Sequence, residues 1–410
     1  MSEQRGARQL ESVNAIRAYK REVFRNAKER AKQGEPFAIC HGDEIEEIFN
    51  VLDIPTQIVN SWNAIIHMKG MTDYYRDVLT QRGYVMPPFR VLALANGLAC
   101  TMDNNPEIAP WGGLPKPSII IGSRTNVDFK ILELWAREYD CPFYQFQKDG
   151  YRQPHPPRWW ERLRDHWDEE VDSRRLDFRV EQLKEVTHCL ESVTGRTFSI
   201  AKLNKAMEIL NEQMDYFGKV RDLIGNTVPC PVSVRDQLSV YQTMWHRGTT
   251  EARDLMKAYY KEVKERVEKG IAAVPNEKLR IMWDELGGTP PAWARYVGEK
   301  HGAAVIAPLY MSIAREAYYR KVSNNDPLRA IASRHLMFFA MTPEWRVRDA
   351  ELCKCDGVID VITKGSKLPS PQRAVFEKAG IPHLHLPRDS DDTEIRSILD
   401  EFITTRLLST

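Results

Sequence analysis

Ala303-Ala-Val-Ile-Ala-Pro308, Gly357-Val-Ile-Asp-Val-Ile362 and Ile381-Pro-His-Leu-His-Leu386 decide the fold class. Each is a short apolar run, and helical sequence separates one run from the next. The run Leu279–Trp283 leads into Asp284-Glu-Leu-Gly-Gly-Thr-Pro-Pro291 and then a helical stretch, Ala292–His301. A long helical segment is expected around Arg329–Cys353, with further helices at Pro371–Lys378 and Asp392–Leu408. Buried runs of about six residues alternating with helices indicate βαβ units and a parallel sheet. Right-handed crossovers put every strand-to-helix loop at one edge of such a sheet.

The N-terminal part repeats the theme. Pro36–Cys40 precedes an acidic helix start at Asp43–Leu52, and Thr56–Val59 reads as the next strand. Ser118–Ile121 and Cys141–Phe146 flank the helical stretch Val127–Tyr139. Between the two parts, from about 175 to 270, leucine, valine and methionine recur at helical spacing among mixed charges, as in bridging helices. The Pro- and aromatic-rich stretch Tyr151–Trp160 reads as a surface loop. The expected organisation is an α/β fold of two parallel-sheet domains, residues 1–174 and 276–410, joined by a helical region at 175–275.

The 410 residues exceed the size at which one core stops growing, so more than one domain is expected. Hydrophobic residues at 42% and charged residues at 28% are those of a globular chain. A net charge of +1 lacks the basic excess of a nucleic-acid binder. No segment approaches about 20 uninterrupted apolar residues, so no membrane span is expected. Met1–Gln33 is polar and has no secretory apolar core, which points to the cytoplasm. In that reducing compartment the seven cysteines are expected as thiols or metal ligands. Cys353-Lys-Cys355 does not have the usual spacing of a zinc or redox pair.

Several residues suit chemistry. His41 and Asp43, in Cys40-His-Gly-Asp43, follow a strand and fit acid/base roles; the plainer reading is a loop histidine and an N-cap. Glu285 also follows a strand, and Gly287 and Gly288 would let backbone approach a ligand closely, though a simple turn explains them equally. Trp111 and Gly112, between two prolines, would cover an acyl group or form a tight loop. His383 and His385 share one face of a strand, as two metal ligands would. No carboxylate or cysteine cluster of suitable spacing accompanies them in the sequence, which favours structural histidines.

A set of local patterns resembles the benzoyl-CoA reductase / 2-hydroxyacyl-CoA dehydratase family (2-hydroxyglutaryl-CoA dehydratase D-component), most closely the benzoyl-CoA reductase B-type subunit. These are Leu190-Glu-Ser-Val-Thr-Gly-Arg-Thr-Phe-Ser-Ile-Ala-Lys-Leu203, Arg247-Gly-Thr249, Asn325-Asp-Pro-Leu328, Asp356-Gly-Val-Ile-Asp-Val-Ile362 and Ala379-Gly-Ile-Pro-His-Leu-His-Leu-Pro-Arg-Asp389. The resemblance implies two flavodoxin-like domains with a site between them, and a heterodimer of related subunits (or a homodimer). It also implies a CoA ester as substrate and a separate ATP-dependent activator that delivers low-potential electrons. In the family these reach a 4Fe-4S cluster and then a thioester carbonyl, giving ring reduction or loss of water.

This sequence departs from that pattern at the cluster. Three cysteines on loops hold it in the family, and the first matches Cys100. The second and third positions fall in Gly122-Ser-Arg-Thr-Asn-Val-Asp128 and Thr363-Lys-Gly-Ser-Lys367, which contain no cysteine. Cys100 alone cannot hold a cluster that needs about four ligands. Arg124, Thr125, Lys364, Ser366 and Lys367 stand there instead and suit phosphates, carboxylates or an oxyanion. The expected role is therefore an acyl-CoA-processing subunit whose partner holds any cluster. Non-redox hydration, dehydration or C–C cleavage on an acyl-CoA, or a non-catalytic heterodimer scaffold, are the alternatives.

Overall fold

The computed structural model describes residues 10–42, 45–84, 92–122, 129–147, 158–284, 291–337, 342–362, 371–387 and 390–409. Strands β1 (Ala38–Cys40), β2 (Thr56–Ile58), β3 (Ile119–Gly122) and β4 (Phe143–Gln145) form one parallel sheet in the order β2-β1-β3-β4. Strands β5 (Leu279–Asp284), β6 (Ala303–Pro308), β7 (Gly357–Ile362) and β8 (His383–Pro387) form a second in the order β6-β5-β7-β8. The two orders are the same when read from each domain's own first strand. Each is flavodoxin-like, with a topological switch between β1 and β3 in one and between β5 and β7 in the other.

The strands are apolar on both faces because helices cover both. In the first sheet Ala38, Cys40, Ile119 and Ile121 point inward, while Ile39 and Ile120 point outward. Outward residues pack under helices Val59–Met68, Leu92–Asp103 and Phe129–Tyr139. In the second sheet Met282, Ala304, Ile306 and Val358 point inward; Ile281, Trp283, Val305 and Ile359 point outward onto helices Pro291–His301 and Asp392–Phe402. Both inward faces share one continuous core with the central helices Ser173–Thr194, Ile200–Asn226, Thr250–Glu268 and Pro327–Met337.

Local chemistry sets the central helices. The Asp172 carboxylate accepts from the backbone N–H of Arg174 and Arg175 at the start of the first, and Gly195, at φ +67°, ends it. Ser199 and Thr249 cap the next two in the same way.

Two sequence expectations are corrected here, and one further element emerges. The segment Arg329–Cys353 is two helices, Pro327–Met337 and Pro343–Leu352. Thr342 caps the second, its hydroxyl accepting from Trp345 N at 3.3 Å, and Pro343 cannot continue a preceding helix. In the stretch read as a surface loop, Trp159 and Trp160 are buried in the shared core, with Trp159 6.1 Å from Trp345 between ring centroids. The polar N-terminus is an ordered helix, Glu11–Lys32. Its buried side is a stripe of Val13, Ile16, Lys20, Phe24 and Ala27, a helical periodicity that its charged residues hide.

One ion-paired group ties the layers together. Glu47 lies on helix Glu46–Leu52, just beyond β1, and is fully buried. Arg247, from the central region, donates to Glu47 Oε1 at 2.7 Å. Arg334, on helix Pro327–Met337, donates to Oε1 at 2.8 Å and to Oε2 at 2.7 Å. Neither arginine has more than 1% of its surface exposed. Burial raises the carboxyl, but the two guanidinium groups outweigh it and hold Glu47 at about 2.

Glu47→Gln leaves two buried guanidinium groups without their anion and should cost about 3–5 kcal/mol in urea unfolding. Because the folded value is depressed from 4.5 to about 2, this carboxylate's contribution is complete above the unfolded value and is lost as pH falls through the folded one. Wild-type urea midpoints should therefore drop across that acidic window with a component that Glu47→Gln lacks. Parallel pH profiles for the two proteins would contradict the assignment.

Candidate functional site

Parallel sheets bind ligands beyond the carboxyl ends of the strands that flank the switch point. In both domains the sequence candidates follow those strands in the chain. His41 comes directly after β1, half-buried, its N–H donating to Ile121 O of β3 at 2.9 Å. Asp43, Arg124, Glu285, Gly287, Gly288, Lys364, Ser366 and Lys367 lie outside the described residues. They stand in the chain after β1, β3, β5 and β7, the four central strands.

Cys100 is placed elsewhere. It lies inside helix Leu92–Asp103 rather than on a loop, buried in the outer core of the first sheet. Its neighbour Thr101 donates to Tyr139 Oη at 3.1 Å, and Tyr139 closes the helix that returns to the amino end of β4. Tyr139 thus draws Thr101 toward the amino edge of the sheet, and Cys100 beside it is buried among the helices of the outer face. Burial pushes its thiol up. Cys353 and Cys355 precede β7, also at an amino edge, and burial pushes both thiols up. This donor set does not fit a 4Fe-4S cluster, which takes about four ligands, usually thiolates.

Trp111 lines a different feature, with Gly112 next to it in the same turn. Trp111 takes a left-handed conformation, φ +53°, and its ring packs 4.9 Å from Phe24 between centroids. Lys28 Nζ fixes the turn, donating to Trp111 O at 3.0 Å and Gly112 O at 2.8 Å. Beside them, against edge strand β2, is a small cavity of about 20 Å³ that opens toward solvent. Phe24, Phe37, Trp111 and Trp245 supply its aromatic wall, and Lys20 and His246 its titratable groups.

Lys20 is the residue that sequence reasoning missed. Only 7% of it is exposed, its ammonium makes no hydrogen bond, and it lies 5.2 Å from the Trp245 ring centroid. Burial lowers its pKa to about 8. Burial, with the Lys20 charge adding to it, also holds His246 below its ordinary value. An amine poised near neutrality in an aromatic pocket can donate to a carbonyl or carboxylate, or exchange a proton with it. The signal was available in the sequence: lysine at the centre of an otherwise apolar helical stripe.

Comparison with known proteins defines the class. The model of the 2-hydroxyglutaryl-CoA dehydratase D-component family matches residues 96–407, and the chain belongs to this family. Among curated proteins, the alpha subunit of (R)-2-hydroxyisocaproyl-CoA dehydratase from Clostridioides difficile is 25% identical over 255 residues. That match covers 58% of this chain and 60% of the relative. Among the described residues no helix is long and apolar enough to cross a membrane.

An uncompensated buried ammonium costs stability that its removal returns. At neutral pH the folded state holds the Lys20 proton less tightly than the unfolded state, so Lys20→Met should stabilise the protein by about 1–3 kcal/mol. In wild type, competitive acetylation followed across pH should give a half-point at about 8 for Lys20. A half-point at the ordinary 10.5 would remove Lys20 from the list of poised groups.

Proposed function

We propose that this chain is one subunit of an enzyme acting on a CoA ester, that it supplies the ester pocket, and that it works beside a related subunit. The family match over residues 96–407 carries this reading, since it runs through β3 and β4 of the first sheet, the helices between the sheets and the whole second sheet. The named relative, a dehydratase alpha subunit, supports removal of water from a 2-hydroxyacyl-CoA as the reaction class. Arg124, Lys364, Ser366 and Lys367 hold phosphates or the thioester oxygen, and Gly287 and Gly288 allow backbone to approach it. His41, Asp43 or Glu285 moves the proton, and Trp111, Gly112 and Lys20 lie at the acyl end.

One observation favours a non-redox form of this chemistry in the chain itself. The loops that follow β3 and β7 carry Arg124, Thr125, Lys364, Ser366 and Lys367 where the family pattern has cysteines. A cation or hydroxyl beside a thioester carbonyl stabilises an enolate or oxyanion without electron transfer. In the redox form of the reading, the partner subunit carries the cluster.

Two measurements test these statements. A partly buried charge-assisted hydrogen bond contributes about 1.5–3 kcal/mol. Changing Lys364 and Lys367 together to alanine should then weaken acyl-CoA binding, measured calorimetrically on the chain with its partner, by at least about tenfold. Unchanged affinity would remove these lysines from the pocket. Separately, anaerobic reconstitution of the chain alone should leave it without the broad brown absorption of an iron–sulfur cluster. Recovery of about four irons per chain would overturn the non-redox form.

A further inference from the structure

We propose that Asp360, His383 and His385 form a binding site for one divalent transition-metal ion of the zinc type, on the inward face of the second sheet. The register of β7 and β8 builds it. Asp360 pairs with His385 across the parallel ladder, and Val358 with His383. Side chains alternate along a strand, so Asp360, His383 and His385 emerge on one face. The sequence placed no carboxylate beside the histidines; strand pairing brings one from twenty-odd residues upstream.

The geometry is that of a ligand set. One atom from each residue can be chosen so that all three lie within 4.8 Å of one another. His385 Nδ1 is 2.5 Å from Asp360 Oδ1, and His383 Nε2 is 3.6 Å from Oδ2. His383 is only 4% exposed, and neither of its ring nitrogens has a hydrogen-bond partner. A buried imidazole left in this state is costly unless it coordinates something. Its ring is held in place by Phe376, stacked 5.6 Å away at 16°.

The surrounding charge agrees with a cation. Asp284, the register partner of Asp360 on β5, is buried and its Oδ2 lacks a partner. Arg346 Nε lies 2.9 Å from the other oxygen, Oδ1, so this guanidinium is engaged by Asp284. Two imidazoles and one carboxylate select a borderline ion over magnesium or calcium, which take oxygen ligands. Three protein ligands leave a coordination position for water or for an oxygen of a ligand.

The test uses the full chain, stripped with a chelator and titrated with Co²⁺ as the probe, with Zn²⁺ competing. Stoichiometric binding with the visible bands of a low-symmetry cobalt site, displaced by Zn²⁺, is expected. His385→Gln and Asp360→Asn keep the size of the side chains, and each should weaken binding by at least about tenfold with an unchanged far-ultraviolet spectrum. His301→Gln, which alters a partly buried histidine paired with Asp400, should leave binding intact. Absence of stoichiometric binding to wild type overturns the proposal. So does binding that His385→Gln and Asp360→Asn leave unchanged, since the ion would then sit elsewhere. If either variant unfolds, histidine proton resonances of the wild type decide: shifts of His383 and His385 on adding Zn²⁺ support the site, and unshifted resonances overturn it.

Discussion

The Glu47 carboxylate, held between Arg247 and Arg334, is the contact on which the arrangement of layers depends. It joins the helix after β1, the central helical region and the helix before the last βαβ unit at one buried point. Apolar packing alone would allow these layers to slide, because dispersion and the hydrophobic effect carry little direction. A carboxylate saturated by two guanidinium groups allows one relative placement. Breaking either pairing strands charge in a medium that solvates it poorly.

Both sheets use the same order of strands, and in each the candidate residues follow the strands on either side of the switch point. The two halves of the chain therefore offer the same kind of edge to a ligand. Their inward faces differ in what they hold. The first sheet presents Ala38, Cys40, Ile119 and Ile121, all closed by apolar packing. The second presents Arg280, Asp284, Asp360, His383 and His385 along with Met282 and Val358, a polar seam under the helix that carries Arg346.

Much of the fold could be read from the residues. Runs such as Ala303–Pro308 and Gly357–Ile362 are apolar apart from Asp360 because both of their faces are covered, and their boundaries agree with the strands. Helix Leu309–Ala317 was not seen, since it begins directly after Pro308 with no turn residues to announce it. Helix Glu11–Lys32 was hidden by charge, although its stripe was present. The break before Pro343 was overlooked because both flanking segments have helical composition. The site was less legible. His383 and His385 were visible as a pair, but Asp360 lay in a run that read only as strand. Lys20 shows in the sequence as a lysine within an apolar stripe, and packing adds that its buried ammonium makes no hydrogen bond.

The core shared by both inward faces has a kinetic consequence. Two α/β domains with separate cores can open and close about a hinge at little cost. Here such an opening would pull the central helices away from one sheet and hydrate apolar surface at about 25 cal/mol for each Å² exposed. Entry of a substrate by rigid-body gaping is thus opposed by the hydrophobic effect itself.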